Sequence, residues 1–169
     1  SLANLAIASL SSTMTVFSGQ NLGAGNYRRL CRSAWLIPLS AGAITLSAGI
    51  LVTIFCNPLL ALFTHDTAVL AFATRYIHIV LPFTWMYAIM NVIMCFANGI
   101  GEIKYPTIVN LFILWGVRIP VAYLLSRLGY GGYAMASVPL SFLAGMILML
   151  FYFRTKRWAK LCALAKNEP

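Results

Sequence analysis

Acidic residues are almost absent from this sequence, with 3 Asp and Glu against 12 Lys and Arg in 169 residues. The three are Asp66, Glu102 and Glu168, and none falls inside a long apolar run. Ion-coupled transport normally uses a carboxylate within the membrane, and this sequence supplies none of its own. Charge of either sign is scarce, at 9% of residues against 61% hydrophobic. The mean hydropathy is +0.85. A soluble domain of this length cannot bury so much apolar surface, whereas lipid removes the need to. Cysteine is sparse too: Cys31, Cys56, Cys95 and Cys162 stand singly, without a CxxC pair or a Cys/His ligand spacing. That excludes a disulfide framework and a zinc site. No nucleophile is paired with a base, so no enzyme, cofactor or metal is expected.

What is present is long charge-free sequence. Ser33 to Leu62, Ile77 to Gly101, Tyr105 to Val117 and Leu128 to Phe153 carry no charge, and Ser1 to Tyr27 forms a fifth such stretch. At the helical rise, most of these cross a hydrocarbon core of roughly 30 Å. The fold class is therefore all-α: a polytopic membrane protein of five transmembrane helices in one domain, 1–169. The expected spans are about 2–18, 33–56, 75–98, 106–126 and 133–153, followed by a basic tail, 154–169. Short connections make sequential helices antiparallel neighbours.

The net charge of +9 is distributed by side rather than by patch. Arg28, Arg29 and Arg32 follow the first span, Lys104 the third, and Arg154, Lys156, Arg157, Lys160 and Lys166 the fifth. Arg75 and Arg127 fall on the opposite side, with Arg118 between. This is the positive-inside pattern. It predicts a cytoplasmic C-terminus and basic residues against lipid headgroups, and no nucleic-acid partner. The chain opens inside a helix without a methionine, the expectation for a piece of a longer protein. No basic region precedes the first apolar run, so it is not a signal peptide.

The first span carries Ser9, Ser11, Ser12, Thr13, Thr15 and Ser18, more hydroxyls than lipid contact favours. Such a helix faces a neighbour or a water-filled cavity. The segment from Gly19 through Gly23 and Gly25 to Arg29 lacks the GK[ST] of a phosphate loop and the GxGxxG spacing. It reads as a tight turn with positive backbone angles at its glycines. In the second span, Ala43 with Ser47 and Thr45 with Gly49 sit four apart and permit close helix approach. The fifth stacks Ser137, Ser141 and Gly145 on one face.

Candidate binding residues lie on the third span. Thr84, Tyr87, Asn91, Met94 and Asn98 are spaced by three and four residues, one helical face. Unpaired amides in hydrocarbon are costly, so this face points inward. Phe83, Met86 and Met90 add adaptable contact area for a bulky amphipathic ligand. The same pattern also fits ordinary interhelical hydrogen bonding. Arg118 is the one charge deep in a span. It is expected to face protein or water, as a clamp on neighbouring carbonyls or as an anion or coupling partner, with Trp115 positioned to stack on it. Pro120 loosens the helix beside it. His78, near the outer end of the third span, is a proton carrier or an interfacial packing residue.

Three motifs in order carry a family resemblance. Gly19-Gln20-Asn21-Leu22-Gly23-Ala24-Gly25 resembles the GQNLGAG loop of the multidrug and toxic compound extrusion family. Gly99-Ile100-Gly101-Glu102-Ile103-Lys104-Tyr105-Pro106 resembles its G-x-G-[D/E]-x-[K/R]-x-P connection, and Trp115, Arg118 and Pro120 its W-x-x-R-x-P pattern. The resemblance implies most of the C-terminal six-helix lobe of a twelve-helix transporter in a bacterial inner membrane. The missing N-terminal lobe would complete it. It implies export of amphipathic organic cations in exchange for a proton or sodium ion. Gln20, Gly23, Gly25 and Arg118 would then serve gating or structure. Members with a cation-binding acid in the helix equivalent to the third span differ from this sequence, so the coupling acid is expected in the absent lobe. Two alternatives stay open: a lipid-linked saccharide flippase of related architecture, and a truncated membrane protein without transport. For the topology, cysteine labelling of intact cells should reach a residue placed beside Arg127 and spare one beside Lys104. The reverse result would overturn the assignment.

Overall fold

The computed structural model of the protein describes residues 2–56, 60, 67–128 and 135–152. Five helical rods make it up, in agreement with an all-α membrane fold. The first two are α1, Leu2–Gly23, and α2, Tyr27–Ile54. The third is a composite: α3, Thr67–Val80, a 3-10 turn, Leu81–Phe83, and α4, Thr84–Gly99. The fourth runs as α5, Lys104–Leu111, a π-helical segment, Phe112–Arg118, and α6, Ile119–Arg127. The fifth is α7, Ser137–Tyr152. By length and hydropathy, Tyr27–Ile54, Val69–Gly99 and Lys104–Arg127 are each able to cross a membrane, and Ser137–Tyr152 is a shorter apolar helix.

Helical hydrogen bonding continues past the apolar limits of the spans. α1 runs on through Gln20 and Asn21 to Gly23, and α2 begins at Tyr27, taking in Arg28, Arg29 and Arg32. The glycine-rich segment is consequently less of a loop than its composition implies. Gly19 and Gly23 are helical, and of its three glycines only Gly25 has a positive φ, 75°. Asn26 N–H closes the turn on the Asn21 carbonyl at 2.9 Å. The α4–α5 turn is built the same way, with Gly101 at φ 84° and Glu102 N–H on the Ala97 carbonyl at 2.8 Å. In both, a left-handed glycine lets the next N–H cap a carbonyl the helix leaves open. Asp66, Cys162 and the basic tail, 154–169, lie outside the described residues.

Prolines account for the two irregular rods. Pro82 has no N–H, and around it the Thr84 N–H turns to the Leu81 carbonyl. The Thr84 hydroxyl takes the Val80 carbonyl instead, at 3.3 Å. Pro120 has no N–H for the Gly116 carbonyl, and the turn before it widens into the π form.

α4 lies at the centre, with α1, α2 and α7 packed around it and the π-helical segment against α7. Small residues set these crossings. A Cβ on Gly42 would meet the Ile89 side chain at 2.8 Å, and one on Gly49 the Leu81 carbonyl oxygen at 3.2 Å. Of the two small pairs in α2, Thr45 and Gly49 face inward while Ala43 and Ser47 are exposed, because two residues rotate the helix to its opposite side. The expected face of α7 is buried as a unit: Ser137, Ser141, Gly145, then Met149 and Tyr152. Hydroxyls in these apolar helices bond back to their own backbone, as Thr45 does to Ala41 at 2.7 Å and Ser141 to Val138 at 2.6 Å.

Outside the core the surface is apolar. Leu39, Ile54, Phe72, Ile108 and Trp115 are all more than 60% exposed. Water does not tolerate such a continuous surface, and hydrocarbon does.

Gly99 is the tightest point: a Cβ there would collide with the Ser18 hydroxyl and the Thr15 carbonyl. Gly99→Val should therefore force α1 and α4 apart and cost about 1–3 kcal/mol. In thermal unfolding of the full-length protein in detergent, an unchanged midpoint would show that this crossing is not a close-packed one.

Candidate functional site

A polar cluster sits where α1 meets α4. Ser11 is 4% exposed, and its hydroxyl donates to Asn91 Oδ1 at 2.7 Å. Asn91 Nδ2 donates to the Tyr87 hydroxyl at 3.3 Å, and Cys95 Sγ lies 3.9 Å from Asn91 Oδ1. One turn on, the Thr15 hydroxyl donates to the Cys95 carbonyl at 3.2 Å. Another turn on, buried Ser18 donates to the Met14 carbonyl at 2.7 Å and reaches the Phe96 carbonyl at 3.5 Å. The ladder ends where Gly19 passes the Gly99 carbonyl. The Tyr87 ring packs on Phe142 of α7, centroids 5.1 Å apart, which ties the cluster to a third helix.

Of the five residues proposed for binding, the structure brings Tyr87 and Asn91 together. Thr84 bonds within its own helix, Met94 packs against the core, and Asn98 is exposed at the far end. The cluster is neutral throughout. It offers hydroxyl and amide dipoles, but no charge and no base. Asn91 Oδ1 is already engaged by Ser11, so its free hydrogen-bonding capacity lies on the amide N–H side and the Tyr87 hydroxyl.

Among the described residues, two open cavities lie along the flanks of the bundle. One, about 470 Å³, lies between the α3–α4 rod and α7, walled by Ile79, Phe83, Met86, Pro139 and Leu143 with His78 at its edge. Its size and apolar walls suit a drug-sized molecule. His78 Nδ1 lies 2.8 Å from the Thr74 carbonyl, so that nitrogen carries the proton in this geometry. The second, about 370 Å³, runs along the outer face of α1 past Ser12, Thr13, Phe17 and Gln20. Among the hydroxyls of α1, Ser12 and Thr13 face this groove, both bonded to the Ser9 carbonyl, while Ser11, Thr15 and Ser18 face α4. Among the described residues no three metal-ligating side chains gather.

The candidate gating residues are spread along the bundle. Gln20 is exposed in that second groove, Gly23 ends α1 and Gly25 makes the turn. Arg118 closes the π-helical segment and is exposed, with neither a carbonyl clamp nor a stacked Trp115 among the described residues. Other cations rest on aromatic rings at helix ends: Arg29 lies 5.3 Å from the Phe17 centroid and Arg127 lies 5.4 Å from that of Tyr123. Sequence reasoning did not pair Ser11 with Asn91, nor His78 and Phe83 with α7. The α1 pairing had a signal, since Ser11, Thr15 and Ser18 repeat at the spacing of Asn91, Cys95 and Asn98. The groove beside α7 had none.

These features define a class: a polytopic helical membrane protein with neutral polar contacts inside and apolar cavities along its flanks. The MatE family model matches residues 1–124, and the chain belongs to that family. It is 27% identical over 154 residues to the probable multidrug resistance protein YoeA of Bacillus subtilis, covering 86% of this chain and 32% of that protein. Against the probable multidrug resistance protein NorM of Thermotoga maritima it is 24% identical over 166 residues, 94% of this chain and 35% of the relative. The uncharacterized transporter YisQ of Bacillus subtilis is 28% identical over 138 residues, 78% of this chain and 29% of the relative. The chain thus spans about a third of the length of the curated relatives it matches. No solved structure matches it.

If the Ser11–Asn91 bond holds α1 to α4, a double-mutant cycle with Ser11→Ala and Asn91→Ala should show coupling of about 0.6 kcal/mol, at most about 1.7. Purely additive losses in the full-length protein would dissolve the pairing.

Proposed function

We propose that this chain is the C-terminal-lobe portion of a cation-coupled antiporter that exports amphipathic organic cations. It is incomplete without the N-terminal lobe. The observation that carries the reading is the family match over residues 1–124. The relatives named as multidrug resistance proteins support the substrate class. Thr84, Tyr87, Asn91, Met94 and Asn98 are proposed to contact substrate on the central helix. In the described structure, Tyr87 and Asn91 are the members that form a shared polar cluster. Phe83 and Met86 extend that contact surface into the apolar cavity beside α7.

Coupling is assigned elsewhere. The sequence places no acid within its spans, and the cluster at Asn91 is neutral, so the proton or sodium site belongs to the remainder of the protein. Rocking of two lobes about a central site would then expose the cavity to each side in turn. The turns at Gly25 and Gly101 carry Arg28, Arg29 and Lys104, and the Gly19–Gly99 approach sets both turns at one end of the bundle. The positive-inside rule supports a cytoplasmic placement of that end. The flippase alternative draws no support from the two cavities, whose named walls carry no Lys or Arg.

The test is the full-length protein in lipid vesicles with a fluorescent lipophilic cation and an imposed proton or sodium gradient. Extrusion that follows one gradient and collapses with it is expected, and the five-helix chain alone should give none. Transport indifferent to both gradients, or transport of a pyrophosphate-linked lipid instead, would replace the assignment.

A further inference from the structure

We propose that Arg118 is one half of an intramembrane ion pair whose other half is a carboxylate on a membrane helix of the protein beyond this chain. The inference begins with depth. The rod from Lys104 to Arg127 is one of the three long enough to cross the membrane. By helical rise, Arg118 lies about 20 Å from the Lys104 end and about 13 Å from the Arg127 end. That puts it near the middle of the hydrocarbon. A guanidinium there costs about 2.5–3.5 kcal/mol on insertion scales unless something answers it.

Nothing described in this chain does. Arg118 is exposed, and the most apolar stretch of its rod is 11% buried, against 28% and 39% for the other two spans. The sequence places none of its three acids within a span. Glu102 precedes the Lys104 end, about 24 Å from Arg118 along the axis. Asp66 and Glu168 fall outside the expected spans in the sequence.

Lipid phosphate is the competing partner, and geometry disfavours it. Helical side chains lean toward the N-terminus of their helix. Arg118 therefore leans toward the Lys104 end, the more distant interface, and away from the nearer one. Snorkelling succeeds near helix ends. The curated relatives are about three times as long as the matched region, so most of the protein's helices remain to face this open flank. A carboxylate among them satisfies both the charge and the depth.

The experiment uses the full-length protein, purified in neutral detergent and again with added anionic lipid. Arg118→Gln should lower the unfolding midpoint by several degrees in both. Neutralising one particular membrane-embedded Asp or Glu of the remainder should produce the same loss. The double variant should then lose no more than either single one. Where Arg118→Gln fails to fold, Arg118→Lys with a membrane-permeant carbodiimide should join the lysine to that same carboxylate, read by peptide mapping. An unchanged midpoint, strict additivity with every embedded acid, or a loss seen only with anionic lipid would each overturn the pair. The last would reassign the partner to a phosphate headgroup.

Discussion

The crossing of α1 with α4 is the constraint on which the rest of the bundle rests. In hydrocarbon two helices gain nothing by hiding apolar surface from each other, since lipid is as apolar as leucine. What holds them is close packing and polar bonds with no better partner. α1 supplies both along one stripe: Ser11 to Asn91, Thr15 to the Cys95 carbonyl, Ser18 to the Phe96 carbonyl, and Gly19 against Gly99. The glycines bring the backbones near enough for hydroxyls one carbon long to span the gap. With α1 fixed, α4 presents Tyr87 and Met90 to α7, where Phe142 and Gly145 receive them. Replace the stripe with leucine and α1 would bind lipid as readily as α4.

Against that rigid crossing stand two places where the backbone departs from the α form, each at a proline. They occupy the third and fourth rods. The 3-10 turn at Leu81–Phe83 sends Phe83 to the wall of the larger cavity, and the π-helical segment ends at Arg118. At the first, the Thr84 hydroxyl answers the Val80 carbonyl. Prolines persist in membrane helices on this condition. The consequence is local: a shifted hydrogen-bond register re-aims the next turn of side chains without parting the helices.

Most of the architecture was legible because lipid imposes a simple grammar. A long apolar run must be a helix, and Ser137, Ser141 and Gly145 at helical spacing mark a buried face. The candidate surface on α4 was legible only as a stripe. Spacing groups Thr84, Tyr87, Asn91, Met94 and Asn98 but cannot say that Thr84 is engaged by its own helix or that Asn98 is exposed. The turns misled for a different reason. Gly19, Gly23 and Gly25 look alike in sequence, yet one serves contact, one ends a helix and one takes the left-handed angle. A glycine's role depends on what lies opposite it, and that is tertiary information.

Charge gives the interior its logic. The polar groups buried between α1 and α4 are neutral, and the bonds of Ser11, Thr15 and Ser18 to α4 hold that seam without a charge. The rod carrying Arg118 is the reverse: little covered, and bearing a cation that the described residues leave unanswered. A membrane protein cannot keep such a residue in lipid at its mid-depth for long, because the cost is borne in every conformation in which the flank stays open. The face of α5 to α6 that bears Arg118 is therefore the side on which this chain most needs the rest of the molecule. In the proposed antiporter the two lobes must separate and rejoin, and the proposed charge-governed seam can do so more readily than one locked by close-packed glycines. The two seams differ in kind, so motion between this chain and its remainder would leave the α1–α4 crossing intact.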